Sequence, residues 1–373
     1  GLAIVLVVAA LVYLPGLSGP FLFDDTTNIL QNEPLRIEHL APDSLWRAAW
    51  SLESGPLKRP VAYLTFALDY YFAGGYRAAA FKATNLAIHL LNALLVAALA
   101  RRLAWAVWPQ DDALRRRMAL LAGGVFALHP LALSPVLYVV QRMASLSTLF
   151  VLAALLCWLR ARDGWGRGFA AEAAPTPDAN PVGAASAANP PPATRLAAFG
   201  WLLAGGVFFV LGLFTKENAA LLVLLYPLAD RVLYPQAPYW RWLGRAGAGG
   251  RATRAALWLL AALAAGLLAW KVAPGYAVRP FTLPQRLLTE ARVLWFYLGL
   301  FALPRIDALG LYHDDIALST GLLTPWTTLP ALLGIAALVW LGFRLLRRAP
   351  LAGFAILWFF AAHLMESTLI PLE

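Results

Sequence analysis

Two adjacent carboxylates, Asp24 and Asp25, stand in the stretch GPFLFDD just after the first apolar segment, Leu2 to Leu14. Pro15 and Gly16 close that segment, so the pair falls where a membrane helix leaves the bilayer. A carboxylate at such a surface can take a proton from a hydroxyl. Capping or solvating a helix end explains the same two residues equally well. A second group lies on one later apolar segment. Lys82, Asn85, His89 and Asn92 are spaced three, four and three residues apart, which puts them on one helical face. Hydrogen bonding between helices accounts for such a face, above all for Asn92, while Lys82 and Asn85, near the segment's outer end, are better placed for chemistry. Cations follow at further outer helix ends. Arg142 could snorkel to headgroups or bind a phosphate, and Lys216-Glu217 could be an ion pair or a phosphate-facing Lys. His129, before Pro130, reads as a structural hydrogen-bonder or a ligand, and Arg292 belongs to a late outer loop. Asp24, Asp25, His313, Asp314 and Asp315 offer oxygen ligands for a divalent ion. No ligand spacing fixes a geometry, and the reading requires no metal and no other cofactor.

The elements that must carry these groups are membrane helices. The chain of 373 residues is 61% hydrophobic and 13% charged, roughly half the charge of a soluble protein. This describes an all-α polytopic membrane protein. The net charge of +10 sits in Arg clusters between apolar segments, which points to positive-inside topology and not to nucleic acid. The single cysteine, Cys157, excludes a disulfide framework. Residues 18–76 form a first outer loop with short interfacial helices expected at Asp43–Trp50 and Pro60–Phe72. Residues 163–195, rich in Ala, Pro, Gly and Asn, read as a flexible cytoplasmic loop, and residues 273–324 as a second outer loop. Crossings are expected at 2–14, 78–100, 118–128, 136–159, 196–214, 219–233, 255–272, 325–343 and 351–364. The apolar run Leu287 to Leu303 then has to be re-entrant or interfacial. A further crossing there would put Arg344 to Arg348 or Arg231 to Arg254 on the wrong side. All of this makes residues 1–373 a single transmembrane domain. No internal repeat is visible, which counts against a transporter of inverted halves.

The stretches FLFDDTTNILQN, LKRPVAYLTFALDYYFAGGYRAAAFKATNLAIHLLNALL, FALHPLALSPVLYVVQRMASLSTLF and LGLFTKENAALLVLLYPLAD, in that order, resemble the transmembrane-and-tetratricopeptide protein O-mannosyltransferases and their bacterial relatives. LTEARVLWFYLGLFALPRIDALGLYHDD and LWFFAAHLMESTLIPLE look like later parts of the bacterial branch. The resemblance implies a GT-C-like helical bundle and a metal-independent glycosyltransferase. Its donor would be a sugar on a polyprenyl-phosphate carrier and its acceptor a hydroxyl of a protein or glycan. The site would face the periplasm from a bacterial inner membrane. Carried over, Asp24 and Asp25 are the catalytic pair. Arg59 falls in the family's Arg-Pro stretch, His129 in its His-Pro, and Arg142, Lys216 and Glu217 among its later motifs; Lys82, Asn85 and Arg292 join them as candidate donor contacts by their positions alone. The family's C-terminal repeats are not seen here. The alternatives are an oligosaccharide ligase or polymerase using a diphosphate carrier, and a non-enzymatic lipid or solute transporter.

Overall fold

A computed structural model describes the chain except residues 54, 173–194, 245–247, 312, 314 and 369–373. It is all-helical in its regular elements. The helices are α1 (Leu2–Leu17), α2 (Pro42–Ala49), α3 (Pro60–Ala73), α4 (Ala78–Ala104), α5 (Asp112–Leu128), α6 (Leu133–Leu137), α7 (Arg142–Glu172), α8 (Arg195–Leu213), α9 (Leu222–Leu233), α10 (Pro238–Gly244), α11 (Ala248–Val272), α12 (Leu283–Ala302), α13 (Thr328–Arg348) and α14 (Pro350–His363). Among the described residues, four helical stretches are long and apolar enough to cross a bilayer: 78–104, 139–164, 196–213 and 328–348. The broken pair Asp112–Leu128 and Pro130–Leu137 makes a fifth if it counts as one span. Of the other expected crossings, α1 and α14 are apolar but shorter, at 16 and 14 residues. The chain is thus an all-α polytopic membrane protein.

Several boundaries differ from the sequence reading, among them the ends of α1 and α7. α1 does not stop at Pro15 but runs to Leu17, since a proline in the last turn forfeits little of the helix's bonding. α7 continues to Glu172, so the first ten residues of the expected loop 163–195 are helical, and Arg195 opens α8; residues 173–194, and Asp314, lie outside the described residues.

The contacts divide the chain into two compact units. One contains residues 6–99 and 135–222. There the polar stretch after α1 is well folded: Ile29, Leu35, Ile37, Ala48 and Leu52 pack with Tyr63, Phe66 and Ala67 of α3, Phe81 of α4, and Val139 and Met143. Both short helices expected from the sequence are present, because Pro42 and Pro60 sit in first turns whose N–H groups are unbonded anyway. Gly74, left-handed at φ 65, ends α3. Within the same unit α7 and α8 pack closely, with Gly212 against Phe150 and Ala219.

The other unit contains residues 1–5, 100–134 and 223–373. α12 begins with a capping box, Thr282 and Gln285. It is not among the apolar candidate spans, and Arg286, Glu290 and Arg292 charge its first half. α13 and α14 meet through glycines, and a Cβ on Gly353 would lie 2.6 Å from the Leu346 amide nitrogen and 2.7 Å from the Gly342 carbonyl oxygen. Backbone cannot step aside as a flexible side chain can. Gly353→Ala is therefore expected to destabilise the protein by about 1–3 kcal/mol, the usual range for overpacking. Gly200→Ala, where nothing lies within 4 Å, should be tolerated. Thermal unfolding in one detergent compares the two.

Candidate active site

Phe23 precedes the acidic pair with a left-handed backbone, φ 40, which bulky residues avoid. The two carboxylates that follow have opposite surroundings. Asp25 is fully buried and Asp24 is exposed. Asp25 Oδ1 accepts the Val140 N–H at 2.7 Å, and Oδ2 accepts the N–H groups of Leu22 at 2.9 Å and Val139 at 3.4 Å. Burial pushes the Asp25 carboxyl above its usual range, opposed by these three donors and by the Lys82 ammonium. Lys82, itself buried, donates to the Gly19 carbonyl at 2.9 Å. The loop on both sides of Asp25 is thereby tied to α4 and to the turn before α7.

Asp24 is held by its backbone. Its N–H donates to the Tyr138 hydroxyl at 3.1 Å, and its carbonyl accepts from Asn28 Nδ2 at 3.0 Å and Thr27 Oγ1 at 3.4 Å. The Tyr63 hydroxyl donates to Asn28 Oδ1 at 3.3 Å. Burial pushes the Tyr63 phenol up to about 12, so it stays a donor throughout the physiological range. The result is a carboxylate that reaches solvent from a backbone fixed at its N–H, its carbonyl and its neighbour.

Of the two expectations for Arg142, the structure removes snorkelling: the side chain is fully buried and bonded within the protein. Nε donates to Asn85 Oδ1 at 2.7 Å, Nη1 to Thr65 Oγ1 at 3.3 Å and Nη2 to the Phe81 carbonyl at 2.7 Å. Nη2 also pairs with Asp69 at 2.5 Å, and the guanidinium lies over the Phe66 ring at 4.6 Å. Burial pushes the Asp69 carboxyl up while Arg142 and the Thr84 hydroxyl, 2.8 Å away, pull it down. Asn85, fully buried, donates from Nδ2 to the Tyr138 and Val139 carbonyls, each at 3.3 Å. Farther along α4, Asn92 donates to the Ser145 carbonyl at 2.7 Å and the His89 ring meets Tyr13 edge-on at 5.6 Å. The polar face of α4 is therefore turned inward along its length.

Arg59 and Glu217 form a half-buried pair at 3.1 Å, with Arg59 Nη1 also 3.4 Å from the Met143 sulfur. Lys58 and Arg59 are both left-handed, at φ 53 and φ 47, and the next N–H, that of Val61 beyond Pro60, reaches the Phe214 carbonyl. Lys216 is half-buried on the same turn as Glu217, and its carbonyl accepts from Ser147 Oγ at 3.4 Å. The remaining two expected residues belong to the other unit. His129 Nδ1 accepts the Leu131 N–H, which leaves Nε2 to donate to the Phe301 carbonyl at 3.0 Å. Arg292 donates to the Ala317 carbonyl at 2.5 Å and lines a cavity of about 480 Å³ with Trp295, Phe296 and Ala331. Among the described residues no three His, Cys, Asp or Glu side chains form a metal-holding group. Sequence reasoning missed Tyr138, Tyr63, Asn28, Asp69 and Thr65. Only Asp69, a lone carboxylate in an aromatic helix, left a signal there.

No protein-family model matches the chain, and no solved structure matches it. Over 163 residues it is 31% identical to the protein O-mannosyl-transferase TMTC4 of Homo sapiens, covering 41% of this chain and 22% of that protein. Over 161 residues it is 30% identical to Tmtc2 of Drosophila melanogaster, covering 40% and 15%. Over 164 residues it is 30% identical to TMTC3 of Mus musculus, covering 43% and 16%. The chain thus spans about a fifth or less of the length of these relatives, to which it stands as a distant relative.

Asp25→Ala would leave three backbone N–H groups without their acceptor, and each buried orphan donor costs about 1–3 kcal/mol. The substitution is expected to lower the unfolding temperature well beyond the effect of Asp24→Ala, whose side chain is exposed. Equal melting curves for the two variants would show that Asp25 does not hold the loop.

Proposed function

We propose that this chain moves a sugar from a polyprenyl-phosphate carrier to a protein hydroxyl, as a metal-independent enzyme of GT-C-like architecture. The supporting observation is the division of labour in the acidic pair: Asp25 is locked by three N–H donors while Asp24 presents a carboxylate to solvent at the end of α1. The similarity to protein O-mannosyl-transferases makes mannose the first sugar to test and a Ser or Thr hydroxyl the first acceptor. In this reading Asp24 takes the acceptor's proton as its oxygen attacks the anomeric carbon. The bond from that carbon to the phosphate oxygen breaks, and the phosphate leaves with the electron pair. Lys216 supplies positive charge to the leaving group. Arg142, satisfied within the protein, does not share that task.

Asp24→Asn is expected to cut transfer by at least about a hundredfold, since an amide cannot take the proton. Its unfolding temperature should stay at the wild-type value. Full activity in that variant sinks the assignment. Lys216→Ala should raise KM for a mannosyl monophosphate carrier, and a chelator should leave the rate unchanged. Preference for a diphosphate-linked oligosaccharide would favour a ligase instead.

The reading places the site on the periplasmic face of a bacterial inner membrane, supported by the Arg clusters at 101–102, 115–117, 231–254 and 344–348. It makes α12 an interfacial or re-entrant helix in the outer loop 273–324. A single cysteine at position 303, with Cys157 replaced by Ala, should react with a membrane-impermeant maleimide in intact cells. Labelling only after lysis would make α12 a full crossing.

A further inference from the structure

We infer that Arg142 and Asn85 are positioning residues for the acidic pair, acting through the turn Tyr138–Val140. The positioning role rests on the proposed function of Asp24; the coupling itself rests on geometry. The carbonyl of Tyr138 and the N–H of Val139 belong to one peptide group, and the carbonyl of Val139 and the N–H of Val140 to the next. Asn85 Nδ2 bonds both oxygens, while Asp25 accepts both N–H groups. Two successive peptide planes are therefore gripped from opposite edges. Rotation of either plane would break a bond to Asn85 and a bond to Asp25 together. The same turn carries the Tyr138 hydroxyl that receives the Asp24 N–H.

An asparagine amide can sit either way round, and only one way presents its NH2 to the two carbonyls. Arg142 Nε decides the matter, because it donates at 2.7 Å and requires the Asn85 oxygen to face it. Arg142 is in turn fixed by Asp69, Thr65 and the Phe81 carbonyl. An ion pair for its own sake is a weak reason for a buried charge, since apolar replacements often stabilise as well or better. A fixed orientation is what the pair adds here. Bonds linked in this way also polarise one another in a low-dielectric interior, which strengthens the two N–H groups that face Asp25.

Two variants separate this from bulk stability. Asn85→Asp keeps an oxygen for Arg142 but removes the donor to the carbonyls. Arg142→Lys keeps the charge opposite Asp69 but removes the Nε–H. Carboxyl footprinting with a carbodiimide and an amine, read by peptide mass spectrometry, needs no substrate. In the wild type Asp24 should label and Asp25 should not. In each folded variant Asp25 should become labelled, while Asp43 and Glu53, exposed on the same loop, label as before. Mannosyl transfer should lose at least about tenfold in kcat with KM for the donor unchanged, as expected when a reacting group is misplaced. Asp25 still protected and kcat unchanged, in either variant that melts cooperatively, overturns the inference. Exposure of Asp25 in the variants of a chain that transfers no mannose even as wild type would uphold the coupling and refute the function proposed above.

Discussion

Arg142 has no contact with water, so every N–H it bonds must be met from inside the protein. A buried guanidinium left unpaired would be far more costly than any gain from packing. That constraint recruits Asp69 and Thr65 from α3 and the Phe81 carbonyl and Asn85 from α4. It thereby fixes the rotation of α3 and α4 against the start of α7. The aromatic core around it, Phe66 and Phe81 above all, then packs against the flat faces of the same group. The acidic stretch after α1 is docked onto this assembly by Asp25 and the Tyr138–Val140 turn.

The strained backbone of this unit lies at two places next to bonded polar groups. Among the described residues, the non-glycine positions with left-handed geometry are Phe23, Lys58 and Arg59. Such conformations cost on the order of 1–3 kcal/mol each and persist only where their surroundings impose them. Phe23 immediately precedes the acidic pair. Lys58 and Arg59 lead into α3 beside the Glu217 carboxylate. The bonds of Asp25 hold the first in place, and those of Arg59 and Val61 hold the second.

Polar side chains on membrane helices are expensive unless they meet one another. α4 shows how the cost is met: Lys82 is matched by a carbonyl of the α1 exit, Asn85 by a turn and an Arg, and Asn92 by a carbonyl of α7. The face visible in the sequence as a row of polar residues is therefore the seam along which this unit closes. Its N-terminal end, with Lys82 and Asn85, also lies beside the acidic stretch, which is why packing and chemistry were hard to separate there.

Hydropathy and charge by themselves determined the fold class, the two short helices at Pro42 and Pro60, and nearly every helix position, because burial in a bilayer demands long apolar runs and Arg accumulates at their ends. They also singled out Asp24, Asp25, Lys82, Asn85 and Arg142 as residues out of place in such a chain. What they left open was which carboxylate is exposed and which is buried, since adjacent residues in a turn point in different directions. That was decided by Val139 and Val140, more than a hundred residues downstream. The burial of Arg142 was hidden for the same reason. Its position near a helix end suggested an exposed cation, whereas its partners lie on α3 and α4, and nothing local in the sequence records that those helices surround it. The bonding of a buried polar group is a property of several chain segments at once, and only the tertiary structure brings them together.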